Sequence, residues 1–210
     1  MSSMSRAPDS IIFDLGGVLI DWNPRHLYRK LISGSEEMEQ FLTHVCPAEW
    51  NAEQDSGRTI EEAVAEKVQE FPEYAHLIEA YYPRFDEMIG DSIEATVAIL
   101  ADLRTSGRRL FALTNWSADT FHLSTDQFEF MNWFEDVAVS GFEKLRKPDP
   151  RFFQRLLDRN GIEPGSALFI DDIRDNVEAA RRLGLSVLQF ITAERLRDEL
   201  VEMGALRPAT

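Results

Sequence analysis

The spacing of apolar residues along the chain divides the sequence into two kinds of region. Short apolar runs bounded by turn residues, which are typical of buried strands, occur at 11–13, 109–114, 137–140, 167–170 and 186–190. Beyond residue 91 these runs alternate with segments of helical spacing, at 92–106, 118–128, 150–160, 176–183 and 193–203. Strands and helices that alternate in this way predict an α/β fold with a doubly wound parallel sheet.

The segment between the first strand and the second half of the chain has a different pattern. It shows helical periodicity and no convincing strand, with helices expected at 24–33, 35–45, 63–71 and 73–88. Asn23-Pro24 is typical of a helix start, and Thr59-Ile60-Glu61-Glu62 has the pattern of a capping box. The sequence therefore predicts a four-helix cap at 23–88, inserted into an α/β core formed by 1–22 and 89–210.

Polar side chains follow three of the five predicted strands at the point where each strand ends. Asp14 follows the first strand, Thr114-Asn115 ends the second, and Asp171-Asp172 ends the fourth. A lysine, at position 147, lies in the loop after the third strand. Because the carboxyl ends of parallel strands meet at one edge of the sheet, these side chains are expected to converge. Such a set can hold and cleave a phosphate monoester.

The chemistry of that reaction explains why these residue types are needed together. When the Asp14 carboxylate attacks a phosphate dianion, each pair of unit charges at ~4 Å costs roughly 4 kcal/mol at an effective dielectric of about 20. Asp171 and Asp172 offer the oxygen ligands that Mg²⁺ prefers, and Lys147 supplies a second positive charge. Thr114 and the backbone N–H groups after it can donate hydrogen bonds to the phosphate. An aspartyl-phosphate would divide the hydrolysis into two easier steps.

Composition narrows the class of partner. Acidic residues exceed basic residues by 37 to 22, the formal net charge is −15, and no stripe of Lys or Arg is present. Nucleic acid and anionic membranes are therefore poor partners, and an anionic substrate needs a local cation. The single cysteine, Cys46, excludes an internal disulfide, and the polar N-terminus lacks the apolar segment of a secretory signal. We expect a cytoplasmic protein that is a monomer or a homodimer.

Four short motifs, FDLGGV, LTN, KP and FIDD, occur in this order at the predicted strand ends. Together they resemble the four motifs of the haloacid dehalogenase-like (HAD) hydrolase superfamily, over residues 11–190. The resemblance implies a Rossmann-like sheet, a helical cap between the first two motifs and Mg²⁺ as the cofactor. It makes Asp14 the nucleophile, Thr114 the phosphate-binding hydroxyl and Lys147 the motif lysine. It also makes Asp172 the acidic metal ligand, with Asp171 beside it.

One position departs from the family's pattern. Family phosphatases usually have a second aspartate two residues after the nucleophile, where it serves as general acid and base, and this chain has Gly16 there. The backbone carbonyl of Gly16 can still bind Mg²⁺. Proton transfer to the leaving oxygen, which is typically worth ~10²–10⁴-fold in rate, loses its donor. We expect either a leaving group that needs little protonation, as in glycosyl 1-phosphates or aryl phosphates, or a proton from water or Asp21.

The sequence therefore predicts a Mg²⁺-dependent hydrolase that cleaves a small-molecule phosphate monoester, with sugar phosphates among the candidates. Asn115, Trp116 and Gly17 are expected to complete the substrate site. One alternative is a 2-haloacid dehalogenase, which would use the same aspartate on carbon. Such enzymes need no metal and typically lack a pair like Asp171-Asp172. The other alternative is a binding protein without catalytic activity, which the glycine at position 16 suggests.

Two further groups of residues are ambiguous in the sequence. Trp22 and Trp50 can line a pocket between the cap and the core, but large aromatic residues are more often packing residues. Asp175 and Asn176 follow the fourth motif, and a structural role is the more common one for residues of this kind. The sequence assigns none of these four to the chemistry.

Overall fold

The structure is a computed structural model that describes residues 7–55 and 58–208, and a five-stranded parallel sheet lies at its centre. The order of the strands is β5-β4-β1-β6-β7. Their bounds are Ser10–Phe13 for β1, Arg109–Thr114 for β4, Asp136–Val139 for β5, Ala167–Asp171 for β6 and Ser186–Gln189 for β7. This sheet confirms the α/β fold that the alternating pattern predicts.

Helices cover both faces of the sheet, which explains why its central strands are apolar throughout. Ile11 and Phe13 of β1 belong to the larger apolar core, and Ile12 between them belongs to the smaller one. Successive side chains of a strand point to opposite faces, so the two cores lie on the two sides of the sheet. Flanking helices are α6 (Glu94–Thr105), α7 (Phe121–Gln127), α8 (Ser140–Glu143), α9 (Pro150–Asn160), α10 (Arg174–Arg182) and α11 (Ala193–Glu202).

The register of the sheet places the ends of three strands side by side. Phe13, the last residue of β1, pairs with Ala112 of β4 and with Ile170 of β6. The pairing extends one residue further, because the backbone N–H of Asp14 donates to the carbonyl oxygen of Ile170 at 2.9 Å. Asp14 therefore leaves the sheet level with the end of β6. The aligned carboxyl ends of β1, β4 and β6 thus form the sheet edge at which the sequence predicted the site.

A second, two-stranded sheet lies at the two ends of the inserted segment. Its antiparallel strands are β2 (Ile20–Trp22) and β3 (Ile89–Ser92), with Ile20 opposite Ser92 and Trp22 opposite Ile89. The sequence did not predict this ribbon. It brings the entrance and the exit of the insertion together on the core.

The inserted segment is helical, as predicted, but its helices are shorter and more numerous. They are α1 (Arg25–Leu31), α2 (Ser35–Gln40), a π-helical turn (Phe41–Val45), α3 (Ala48–Gln54), α4 (Ile60–Glu70) and α5 (Ala75–Ala80), with 3₁₀ turns at Pro72–Tyr74 and Phe85–Met88. Thr59 accepts a hydrogen bond from the backbone N–H of Glu62, as expected of its capping box. The division into a core and a cap domain stays a prediction.

Two differences from the predicted helices have physical causes. The single helix expected at 73–88 is interrupted by a turn that contains Pro83, a residue that removes a backbone donor and disfavours a continuous helix. Helix α3 was missed because it has seven residues, too few to show a repeating apolar face.

Aromatic side chains fill the space within the insertion and connect it to the core. Tyr81 packs against Trp50 at 5.1 Å between ring centroids, and Phe85 packs against Trp116 of the core at 6.2 Å. One continuous apolar cluster includes residues of both regions. The inserted helices therefore lie over the carboxyl edge of the sheet. No helix in the described part of the chain has both the length and the hydropathy needed to cross a membrane.

Candidate active site

A cavity of about 330 Å³ lies between the inserted helices and the carboxyl edge of the sheet. Eight of the nine residues predicted for the site line it, and the ninth, Asp171, is fully buried in contact with Lys147. The lining residues that were predicted are Asp14, Gly16, Gly17, Thr114, Asn115, Trp116, Lys147 and Asp172. The topology of the sheet thus brings the predicted set together.

Lys147 lies at the centre of this group. Its ammonium Nζ is 2.8 Å from Asp14 Oδ1 and 2.7 Å from Asp171 Oδ2, and only 2% of the residue is exposed. Burial lowers the pKa of Lys147, but the two carboxylates outweigh it and raise the pKa above its ordinary value. Lys147 is therefore positively charged where it lines the cavity.

The side chain of Asn115 fixes the backbone of Lys147. Its amide nitrogen donates to the carbonyl oxygen of Lys147 at 3.0 Å, and its amide oxygen accepts from the backbone N–H of Lys147 at 2.8 Å. Both functional groups of the amide are used in this pair of bonds. The structure thus gives Asn115 a contact with the lysine loop, where the sequence predicted a contact with substrate.

Asp171 is held by several donors in addition to the lysine. It accepts from the backbone N–H of Ile173 at 2.8 Å and from the amide nitrogen of Asn176 at 3.1 Å to each of its oxygens. Asn176, near the start of α10, is itself buried. These bonds hold the Asp171 carboxylate in the position where it pairs with the Lys147 ammonium.

Asp14 is buried at the end of β1, with 8% of its surface exposed. The hydrogen bonds that the described residues make to its side chain both use Oδ1, from Leu15 N–H at 2.7 Å and from Lys147. Burial raises the pKa of Asp14 to about 7, against the lowering effect of Lys147 and together with repulsion from Asp171 and Asp172. The second oxygen, Oδ2, remains for a reacting group.

Asp172 carries an unpartnered buried atom. Its Oδ1 is buried without a hydrogen-bond donor among the described residues, which is costly for a carboxylate. Asp14, Asp171 and Asp172 each offer an oxygen within 4.8 Å of the others. Burial and repulsion from Asp171 raise the pKa of Asp172. A divalent cation that prefers oxygen ligands fits this cluster.

The glycine pair after Asp14 allows the close approach of Asp172. Gly17 has a φ of +75°, a conformation that disfavours side chains, and a Cβ there would lie 2.7 Å from Asp172 Oδ2. The neighbouring residue is less constrained, because a Cβ at Gly16 would meet only Trp22 Cβ, at 3.8 Å. Crowding at the Cβ therefore does not explain why position 16 lacks an aspartate.

The remaining predicted residues occupy the wall formed by β4 and the loop after it. Thr114, the last residue of β4, is 1% exposed and lines the cavity. The ring of Trp116 also lines it, but its backbone N–H donates to Ser140 Oγ at 2.9 Å. This N–H is therefore bonded to Ser140 here, and the expectation that it serves the phosphate stays a prediction.

Asp21 does not supply the missing carboxyl group. It is exposed, its Oδ2 lies 2.9 Å from His26 Nε2, and it is not among the residues that line the cavity. The hypothesis that Asp21 provides a proton is therefore not supported. The ribbon strand β2 contributes Trp22 to the cavity instead.

Among the described residues of the inserted segment, Asn51, Asp55 and Phe85 line the cavity, and the sequence analysis missed them. Asp55, directly after α3, is 7% exposed and accepts a hydrogen bond from the backbone N–H of Ser117. Burial raises the pKa of Asp55 to about 7, although Arg146 and the Ser117 N–H act to lower it. In a sequence with 37 acidic residues, no local pattern distinguishes this one.

Comparisons with known sequences and structures identify the proteins that this chain resembles. Residues 11–190 match the sequence model of a family described as haloacid dehalogenase-like hydrolase. A relative, sesquiterpene phosphatase astK of Aspergillus oryzae, is 23% identical over 83% of this chain and 85% of its own length. For six other curated relatives, the match spans only 11% to 48% of their length.

Two solved structures show the same fold. One is a point mutant of the HAD family enzyme bt-2542 of Bacteroides thetaiotaomicron, in complex with magnesium and inorganic phosphate. It has a TM-score of 0.64 and 23% identity over 87% of this chain and 93% of the other. The other is L-2-haloacid dehalogenase of Xanthobacter autotrophicus, with a TM-score of 0.62 and 19% identity over 96% and 85%.

Proposed function

The chain belongs to the haloacid dehalogenase-like hydrolase family, and from that premise we propose that it is a Mg²⁺-dependent phosphatase acting through an aspartyl-phosphate. One observation supports this most strongly. Lys147 contacts Oδ1 of Asp14, while Asp172 presents in the same cavity a buried oxygen that has no donor in the described part of the chain. A nucleophile, a fixed cation and a carboxylate oxygen suited to a hard cation are what transfer of a phosphoryl group requires.

In this proposal, Asp14 Oδ2 attacks phosphorus and the bond to the leaving oxygen breaks. Lys147 lies beside the attacking carboxylate and offsets the charge that accumulates on the phosphoryl oxygens. The hydroxyl of Thr114 donates a hydrogen bond to one of those oxygens. Asn115 keeps the lysine loop in place through its two hydrogen bonds.

Mg²⁺ would be held by Asp14, Asp172 and the backbone carbonyl of Gly16, and when bound it neutralises charge on the phosphate. Asp172 is the strongest side-chain candidate because its Oδ1 lacks a donor among the described residues. Asp171 belongs to the same carboxylate cluster. Its bonds to Lys147, Ile173 and Asn176 favour a role in positioning the lysine over direct coordination.

The walls of the cavity suggest the chemistry of the leaving group. Trp22, Phe85 and Trp116 line the space around the carboxylates, and Ile173, 52% exposed, lies on its core side. We propose that residues 23–88 form a cap domain, which contributes Phe85 to this surface. An aromatic or aliphatic leaving group would bury apolar area here, which favours such esters over the sugar phosphates also considered. The similarity to a sesquiterpene phosphatase supports the same preference.

The two alternatives receive less support. A 2-haloacid dehalogenase shares the fold, and at 19% identity the likeness shows the fold alone. The buried Asp172 oxygen that lacks a donor among the described residues has no clear use in that metal-independent reaction. A binding protein without activity would not need a nucleophile and a lysine fixed at 2.8 Å.

The test measures phosphate release from p-nitrophenyl phosphate with Mg²⁺ and with EDTA. Asp14→Asn keeps the shape of the nucleophile and removes its charge, and the exposed Asp86→Asn is the matched control. We expect activity with Mg²⁺ that EDTA and Asp14→Asn abolish and Asp86→Asn retains. Activity that survives both EDTA and Asp14→Asn would overturn the mechanism. Chloride release from 2-chloropropionate in EDTA would favour the dehalogenase instead.

A further inference from the structure

The proposed reaction lacks a proton donor at position 16, and the structure offers one from the opposite side of the cavity. We propose that Asp55, carried by the inserted segment, is the general acid and base of this enzyme. The inference rests on the proposed phosphatase function. It assigns to the inserted segment the proton transfer for which the first motif has no carboxyl group at position 16.

The position of Asp55 in the cavity favours this role. Of the carboxyl groups that line the cavity, Asp14 and Asp172 are assigned to attack and to the metal, and Asp55 is the third. Asp21 bonds to His26 and does not line the cavity. No histidine is among the described lining residues. Asp55 is thus the carboxyl group left to serve the leaving oxygen.

Hydrogen bonds within the inserted segment hold Asp55 in place. Its Oδ2 lies 3.4 Å from the amide nitrogen of Asn51, and the Asn51 oxygen accepts from the hydroxyl of Tyr82 at 3.1 Å. Gln54 in turn donates to the Tyr82 hydroxyl at 2.8 Å. This chain of hydrogen bonds lies within the inserted segment and is buried. It fixes the carboxyl group relative to the cavity.

The groups that surround Asp55 affect its pKa in opposite directions. Arg146, in the loop before Lys147, acts on it through space, and the backbone N–H of Ser117 donates to it. Tyr81 and Tyr82 face it from the inserted segment. Among the described residues, no cation forms an ion pair with it at contact distance. Burial therefore prevails and raises the pKa of Asp55 to about 7, close to the pH at which a general acid works best.

The proton balance is complete with this residue. As Asp14 Oδ2 bonds to phosphorus, the bond from phosphorus to the leaving oxygen breaks, and that oxygen takes the proton of Asp55 to form the alcohol. The Asp55 carboxylate then accepts a proton from the water that attacks the aspartyl-phosphate. Inorganic phosphate leaves, the Asp14 carboxylate is restored, and Asp55 is protonated again.

A purely structural role must be separated from this one, because Asp55 also connects the insertion to the Ser117 backbone. Asp55→Asn makes the separation, since an amide oxygen still accepts the Ser117 N–H but the group no longer transfers a proton. Asp55→Glu keeps a carboxyl group that can transfer a proton, on a side chain that is one methylene longer. Asp86→Asn, on the same segment and exposed, controls for the lost charge. Circular dichroism and thermal unfolding confirm that each variant is folded.

The experiment compares benzyl phosphate, whose leaving alcohol needs a proton, with p-nitrophenyl phosphate, whose leaving phenolate needs little. For Asp55→Asn we expect kcat/KM on benzyl phosphate to fall ~10²–10⁴-fold and on p-nitrophenyl phosphate less than about tenfold. The variant should release p-nitrophenol in a burst of one equivalent per site, because hydrolysis of the aspartyl-phosphate loses its base. Asp55→Glu should recover part of the benzyl phosphate rate.

The wild-type enzyme gives a test that needs no variant. Its kcat/KM on benzyl phosphate should decline above pH 7 relative to p-nitrophenyl phosphate, because both substrates share the ionisation of the phosphate and only one needs the protonated Asp55. An equal effect of Asp55→Asn on both substrates, or parallel wild-type pH profiles, would overturn the inference while Asp14→Asn remains inactive. If the wild-type enzyme hydrolyses neither substrate, the proposed function itself fails.

Discussion

Asp171 and Asp55 are both buried, but their carboxyl groups have different contacts. We call the side of the cavity formed by the sheet edge and its loops the core wall, and the side formed by residues 23–88 the inserted wall. Asp171, behind the core wall, is fully buried and contacts a lysine ammonium at 2.7 Å, a backbone N–H and the amide of Asn176. Asp55, on the inserted wall, is 7% exposed and has an amide and a backbone N–H as its neighbours. The first carboxylate is fixed as an ion pair, and the second can hold a proton near neutral pH.

This difference suggests that the core wall and the inserted wall contribute different groups to the proposed reaction. The core wall provides fixed charges, which stabilise a transition state without reorganisation. The inserted wall provides a buried carboxyl group whose raised pKa suits proton transfer near neutral pH. Substitutions that remove the Lys147 cation from the core wall or the Asp55 carboxyl group from the inserted wall test this difference.

The largest effect is expected from Lys147→Met. The change removes the cation that Asp14 and Asp171 share and leaves buried charge unpaired, a kind of change that typically costs about 3–5 kcal/mol. Urea unfolding in EDTA should show a loss of about this size. Lys30→Met is the matched control, because Lys30 forms an exposed pair with Glu87 that is worth ~1 kcal/mol or less. Equal losses in the two variants would mean that the core wall does not depend on its ion pair.

A second prediction concerns the dependence of stability on pH. The pKa of Asp55 is about 7 in the folded protein and near 3.8 in the unfolded chain. Because the folded value is raised, the stability that this group contributes is present at low pH and is lost as the pH rises through 7. Between pH 5 and pH 8, the free energy of unfolding of wild type should fall by about 2–3 kcal/mol relative to Asp55→Asn.

Urea unfolding of the two proteins at both pH values measures this difference, with Asp86→Asn as the control for one lost charge. A difference between wild type and Asp55→Asn that does not change with pH would mean that Asp55 has an ordinary pKa. The contrast between the two buried aspartates would then be lost. This measurement is independent of any enzymatic activity.

The core wall could be predicted from the sequence because its geometry follows from short-range rules. Each site residue ends a strand or lies in a loop after one, and parallel pairing alone brings Asp14, Thr114 and Asp171 to one edge. The role of Asn115 was less accessible. Its amide bonds to the backbone of Lys147, 32 residues further along the chain, and no local pattern predicts this contact.

The inserted wall could not be predicted in the same way. Asp55 follows a seven-residue helix that has no visible periodicity, and its burial depends on aromatic packing between distant segments. Its position beside Ser117 results from how the insertion lies on the core. Hydrophobic patterns determine that helices form here, but the side chain that reaches the cavity depends on tertiary packing.

The third prediction concerns the amide that supports the core wall. Asn115→Ala removes both hydrogen bonds to the Lys147 backbone, and a small displacement of the lysine should lower kcat ~10–10²-fold with little change in KM. Asn132→Ala removes an exposed amide and is the control. A rise in KM at constant kcat would contradict this interpretation and return Asn115 to the phosphate-binding role that the sequence suggested.

The smallest effect is expected at Gly17. Gly17→Ala must accept a φ of +75°, which costs about 1–2 kcal/mol, and places a Cβ 2.7 Å from Asp172 Oδ2. Gly107→Ala is a matched control, because its φ is +78° and nothing lies within 4 Å of the new Cβ. Both variants should lose similar stability in urea unfolding.

Only Gly17→Ala should also raise the Mg²⁺ concentration for half-maximal phosphatase activity, by roughly tenfold, because displacement of a metal ligand weakens the site. The difference between the two glycine variants isolates the position of Asp172 from backbone strain. An equal Mg²⁺ requirement in both would mean that Asp172 does not hold the metal. The assignment would then pass to Asp171, and the two buried aspartates would differ less in function than their contacts suggest.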